Sequence, residues 1–118
     1  MKTKLVETGF EGLFVVEIDY ARDARGFFIE TWNKRDFEDA GLKLDFVQDS
    51  HSRSINKTLR GLHLQNKQAP LSKLVRCTRG RIFDVAVDMR SGSETFGKWF
   101  GIELNDENNK QLFVIFNC

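Results

Sequence analysis

The sequence predicts an all-β sandwich or barrel. Short runs of β-branched and aromatic residues recur roughly every 8 to 12 residues, separated by turn residues. Only one segment carries the start and stop signals of a helix. At 118 residues, the chain is long enough for one domain, residues 1–118, with a real core.

The elements follow in order. Leu13-Phe-Val-Val-Glu-Ile18 reads as a first strand, and Tyr20 to Ala24 as a charged turn. Arg25 to Trp32 reads as a second strand. Asn33 can cap a short helix near residues 33–40, with Gly41 closing it. Further strands are expected at residues 46–51, 57–65, 72–78, 81–89, 98–104 and 111–116. Thr78-Arg79-Gly80-Arg81 looks like a hairpin turn, and Ser91-Gly92-Ser93 like a loop. Phe27, Phe28, Phe83, Trp99 and Phe113 are expected in the core. The run from Gln111 to Cys118 is apolar with no cap or charged tail, so it is expected to form an exposed edge, covered by another chain or cut short.

Composition narrows the function. Eighteen basic residues stand against seventeen acidic, a net charge of +1. Bulk nucleic-acid or membrane-surface binding wants a marked basic excess. No apolar run reaches the ~20 residues of a membrane-spanning helix. The N-terminus lacks the apolar centre of a signal peptide, so the expected location is cytoplasmic. Cys77 and Cys118 make neither a metal pair nor a disulfide framework; Cys77 reads as a small buried hydrophobe.

Chemistry concentrates in Arg60-Gly61-Leu62-His63-Leu64-Gln65 and Ser72-Lys73-Leu74-Val75-Arg76. A guanidinium, an imidazole and an ammonium lie among apolar neighbours. Burying such cations costs several kcal/mol unless a partner or an anionic ligand compensates. The pattern points to a strand-lined pocket for a negative charge, with a base beside it. Strand side chains alternate between faces. Lys73 therefore shares a face with Val75 and Cys77, while Arg60 and His63 fall on opposite faces of a straight strand. A bulge at Gly61 would bring both inward. Periodicity alone also allows a structural His63, an edge-blunting Lys73 and an ordinary ion pair between Arg25 and Glu30. Asp84 and Asp88 read as structural partners for buried cations, and His51 has no assigned role.

Several motifs then resemble one family: Arg25-Gly26-Phe27-Phe28-x-Glu30, Phe46-Val47-Gln48-Asp49-x-His51-Ser52, Leu59-Arg60-Gly61-Leu62-His63, Lys73-Leu74-Val75-Arg76-Cys77 and Phe83-Asp84-Val85-Ala86-Val87-Asp88. In order and spacing they resemble the dTDP-4-dehydrorhamnose 3,5-epimerases, through Thr95-Phe96-Gly97 to Gln111-Leu112-Phe113. The resemblance implies a cupin-type jelly roll, a homodimer and an isomerase of rhamnose biosynthesis. Such an enzyme acts on a dTDP-linked 4-keto-6-deoxyhexose and inverts both carbons flanking the ketone. It further implies that His63 is the base and that Lys73 stabilises the enolate oxygen. Arg60 would meet the diphosphate, and Arg25, Glu30, Gln48 and Ser50 would contact the nucleotide-sugar, Arg25 and Glu30 across the dimer. The family usually has Asn at the position of Ser50.

Many cupins bind a metal through His-x-His and a later Glu. Here the comparable residues are His63, Gln65 and Lys73, so neither metal nor other cofactor is expected. The resemblance also implies a jelly roll incomplete at its C-terminal end. The family continues with a segment carrying a second histidine, a tyrosine acid and an aspartate that orients the base. Loss of such an orienting group lowers rates by orders of magnitude. The expected activity is therefore weak or absent. Two alternatives stand beside the epimerase: a nucleotide-sugar-binding cupin without catalysis, and a related sugar ketoisomerase.

Overall fold

The computed structural model describes residues 1–63 and 72–115. Among these residues, eight strands and one helix run in the order β1 (Thr3–Glu7), β2 (Leu13–Ile18), β3 (Ala21–Asp23), β4 (Gly26–Phe28), α1 (Lys34–Ala40), β5 (Lys73–Arg76), β6 (Arg81–Val87), β7 (Trp99–Asn105) and β8 (Gln111–Val114). The all-β expectation with one short helix holds. A four-stranded antiparallel sheet has the order β1-β2-β8-β5; β3 pairs with β4 and β6 with β7.

Side-chain alternation splits the four-stranded sheet between two cores. Leu13 and Val15 of β2, Leu112 and Val114 of β8, and Cys77 just after β5 meet Ala86 of β6 and Leu104 of β7 in one cluster. Val16 and Ile18 of β2 and Phe113 of β8 face the other way, against Phe37 of α1 and the apolar residues of the 29–46 segment. The sheet is thus a shared wall, with the β6–β7 ribbon on one side and α1 on the other.

The helix follows its local signals. Asn33 caps it by accepting a hydrogen bond from the Asp36 amide at 3.1 Å. Gly41 ends it in the left-handed region, at φ 113°. Phe37 is the fully buried anchor, against Trp32 with ring centroids 4.6 Å apart.

Several expectations are corrected. Residues 21–23 are not a bare turn but a strand, pairing with a second strand shorter than Arg25–Trp32. Thr3–Glu7 forms β1, which the charged flanks of Leu5 and Val6 concealed. No helix or strand occurs within residues 42–63, so the strand expected at 46–51 is absent, as is the described part of the one expected at 57–65. Leu64 and Gln65 lie outside the described residues. The side-chain pattern is present there, but a strand also needs a neighbour for its backbone groups. Thr78–Arg81 does not fold β5 onto β6 as a hairpin, because the chain crosses there between the two sheets. The Gly80 amide donates to an Asp106 carboxylate oxygen at 2.9 Å, which pins the crossing to the β7–β8 turn.

The strand at Gln111–Val114 is no exposed edge. It lies between β2 and β5 and is buried throughout; Phe116 and Cys118 fall outside the described residues. Of the five aromatics expected inside, only Phe113 is buried. Phe27 and Phe28 lie on the exposed β3–β4 ribbon, while Phe83 (65% exposed) and Trp99 (62%) lie on the outer face of β6–β7. Their rings close over Gly101, where an added Cβ would meet Phe83 at 2.5 Å and Trp99 at 2.9 Å. Cys77 is buried as expected.

Candidate functional site

Strand β5 is an edge strand, and the extended chain at residues 46–50 passes beside it. Between them lies a cleft of about 770 Å³. Trp32 and Phe46 form part of its wall, in an edge-on contact with centroids 4.9 Å apart. Gln48, Ser50 and Lys73 line it together, so three of the seven site residues expected from sequence share one cavity. The Gln48 side-chain amide donates to the Ser50 hydroxyl at 3.3 Å, which orients two short polar groups along the rim.

Thr31, Asp49, Ser72, Arg76 and Gln111 are further polar residues of this cleft that were not assigned to the site from sequence. Arg76 and Gln111 face each other across the β5–β8 ladder and point to the α1 side. Gln111 is almost fully buried, and its amide donates to the Thr31 carbonyl at 2.8 Å. Such pairing satisfies a buried polar group that would otherwise cost ~1–3 kcal/mol. Its place became legible only once β8 was seen to be central.

The other four expected residues lie outside that lining. Arg25 is exposed at the tip of the β3–β4 ribbon and is bound to Asp23, with its guanidinium 2.6 Å from the carboxylate. The Asp23 carboxyl is held below its ordinary value by the Arg25 side chain. The Arg25–Glu30 ion pair is therefore replaced by Arg25–Asp23. Glu30 instead accepts from the Asn33 side-chain amide at 2.9 Å. Arg60 is exposed, and its Nε donates to the Ser54 hydroxyl at 2.8 Å. His63 is exposed beside Gly61, whose φ is 107°. No ladder runs through residues 57–63, so the left-handed glycine turns an irregular segment rather than bulging a strand.

The two aspartates of β6 and its end differ sharply. Asp88 is buried, and its carboxylate accepts from the Arg90 Nε at 3.0 Å, the Ser93 hydroxyl at 2.6 Å and the Thr95 hydroxyl. Arg90 foremost, then the two hydroxyls, hold it well below the usual carboxylate range. Asp88 organises the β6–β7 loop, in the structural role expected of it. Asp84 is partly buried on the inner face of β6. Burial pushes its carboxyl up, against the pull of the Val85 amide and the Lys73 charge. Among the described residues, no cluster of three or more His, Cys, Asp or Glu side chains is placed to hold a metal ion. Among them also, no helix is long and apolar enough to cross a membrane.

Known proteins match this arrangement over almost the whole chain. Residues 7–117 match the family model of dTDP-4-dehydrorhamnose 3,5-epimerase. The Methanothermobacter thermautotrophicus protein of that name is 45% identical over 111 residues, covering 94% of this chain and 60% of the relative. A Bacillus anthracis dTDP-4-dehydrorhamnose 3,5-epimerase, solved with TDP and pyrophosphate bound, superposes with a TM-score of 0.92 at 39% identity. It covers 98% of this chain and 66% of its own. The Legionella pneumophila enzyme, solved with dTDP-4-keto-L-rhamnose, gives a TM-score of 0.89 at 40% identity, over 98% and 61%. The chain thus spans about 60% of the length of its curated relatives. With its motifs, its cupin-type fold and these matches in agreement, the chain belongs to the dTDP-4-dehydrorhamnose 3,5-epimerase family of isomerases.

Proposed function

We propose that the chain carries the sugar-binding half of an epimerase site that acts on a dTDP-linked 4-keto-6-deoxyhexose. The supporting observation is the gathering of Gln48, Ser50 and Lys73 in one cleft of a chain that belongs to this family. In this reading, the reaction removes a proton next to the ketone, leaving an enolate. An ammonium near the carbonyl oxygen stabilises the charge that develops there. Lys73 supplies it. His63 takes the proton, and return of a proton to the opposite face of the enolate completes the inversion. Arg60 meets the diphosphate with its fork of donors, and Gln48 and Ser50 bind the nucleotide-sugar. Arg25 and Glu30 reach the site of a second copy in a homodimer. No metal or other cofactor takes part.

The test combines dTDP-sugar binding with solvent deuterium uptake at the two carbons flanking the ketone. Uptake that disappears in Lys73→Met supports the epimerase. Binding with no uptake by the parent overturns it in favour of a second reading, a nucleotide-sugar binder without catalysis. That second reading draws on the exposed position of His63, outside the cleft lining.

A further inference from the structure

Gln111 places an amide where the sheet is otherwise apolar. It is 1% exposed, and on β8 it lies between Val16 of β2 and Arg76 of β5. Val16 is fully buried in the core that faces α1. Cross-strand partners share a face, so the Gln111 side chain leaves the sheet on that side too. Its Nε2 donates to the Thr31 carbonyl at 2.8 Å, which ties the central strand to the residue before Trp32.

That bond fixes which end of the amide is which. Only the nitrogen can donate to a carbonyl, so Oε1 is the other end. Among the described residues, no group donates to Oε1. Among them also, no sealed side-chain polar atom is without a partner, so Oε1 is not sealed: it opens on the cleft that Gln111 lines. A buried side chain thus holds one acceptor in place and leaves it without a donor. Filling such an acceptor favours a ligand that brings a donor to it.

The cleft narrows what that ligand is. Trp32 and Phe46 supply an aromatic wall, against which a flat ring packs well. Of the charged residues described along the lining, Lys73 and Arg76 outnumber Asp49, so a cationic donor is disfavoured. The fitting group is a neutral ring N–H on an otherwise anionic ligand. Arg76, the register partner of Gln111, offers donors to a ring carbonyl beside that N–H.

We propose that Gln111 is a specificity-determining residue: its Oε1 accepts the imide N–H of a pyrimidine-2,4-dione, the ring of thymine and uracil. The amide cannot turn to offer its NH2 without breaking the bond to Thr31. A cytosine ring, whose N3 is itself an acceptor, is therefore rejected. This role rests on the nucleotide-sugar reading of the cleft and names the atom of this chain that reads the base.

The test is calorimetric binding of dTDP, dUDP, dCDP and N3-methyl-dTDP to the parent chain. dTDP and dUDP bind alike, while dCDP and the N3-methyl compound bind about 10- to 100-fold more weakly, as expected when a buried acceptor meets no donor. In Gln111→Met, close in volume, dTDP binds more weakly and the preference over dCDP collapses toward one. The ligand series in the parent needs no variant, so it decides the matter even where Gln111→Met fails to fold. Equal binding of dTDP and N3-methyl-dTDP overturns the proposal. So does a preference over dCDP that survives in Gln111→Met. If only sugar-bearing dTDP responds to Gln111→Met, the oxygen meets a sugar hydroxyl and the proposal falls. Failure of all four to bind overturns this role together with the nucleotide-sugar reading. Selective dTDP binding without deuterium uptake removes the epimerase reading and leaves the role of Gln111 standing; uptake without base selectivity does the reverse.

Discussion

The four-stranded sheet and the segment of residues 42–63 have similar amino-acid patterns and opposite fates. Both contain alternating apolar residues with β-branched and aromatic side chains. In the sheet, β8 finds a neighbour on each side, and Leu112 and Phe113 are buried on its two faces. In the segment, Val47, Ile55, Leu59 and Leu62 stay exposed, with no helix or strand formed. The difference is the neighbour. A period-two pattern specifies which face a side chain takes, whereas ladder partners decide whether a strand exists at all.

The largest expected effect tests this contrast directly. Leu112→Ala, in the wall between two cores, should cost ~2–5 kcal/mol through lost contacts and a cavity. Leu59→Ala, at a site that is 91% exposed, should stay within ~0.5 kcal/mol. Urea unfolding of the two variants measures both. Equal losses would mean that the segment packs in solution and would break the contrast.

A loop can also be ordered without any ladder, and Asp88 shows how. Asp88→Ala should cost about 3 kcal/mol, because Arg90, Ser93 and Thr95 lose a common acceptor. The pH dependence has a definite sign. The folded carboxyl is held below the ~3.9 of an unfolded aspartate, so its contribution is full above that value. It is lost as pH falls through the lower folded value. Stability against urea, measured from pH 6 downward, should therefore fall more steeply in the parent than in Asp88→Asn.

The smallest effect concerns the exposed rings of the β6–β7 ribbon. Gly101→Ala forces a Cβ against the ends of Phe83 and Trp99. Both rings are more than half exposed and can swing outward, so the cost should stay near or below ~1 kcal/mol. A loss as large as that of Leu112→Ala would show that the rings are clamped by something packed on that face. Thermal unfolding suffices to tell the two apart.

What was legible in the sequence follows the same rule. Helix α1 was legible to the residue, because Asn33 and Gly41 act within a few positions of the helix they cap. Strand β2 was legible because Leu13, Val15, Val16 and Ile18 are buried against one core or the other, with half-buried Phe14 packed on the second. The face of Lys73 followed from alternation with Val75 and Cys77. Gln48 and Ser50 came from the family motif, and their place beside β5 needed the fold. Arg76 and Gln111 were missed as site neighbours, since both depend on a pairing between strands far apart in the chain. The misplaced aromatics have a related cause. Phe83 and Trp99 are apolar enough for a core, but register assigns them to the outward face.

The central place of β8 bears on how the molecule assembles. Leu13 pairs with Val114, roughly 100 residues downstream, while β1 and β2 are joined by a short turn. During synthesis the early hairpin is complete long before its outer partner emerges, and β5 waits beside a gap of one strand width. Closing so long a loop is entropically slow, and contacts of such sequence separation lower folding rates. Until then the nascent hairpin keeps an unpaired border that invites pairing with other chains.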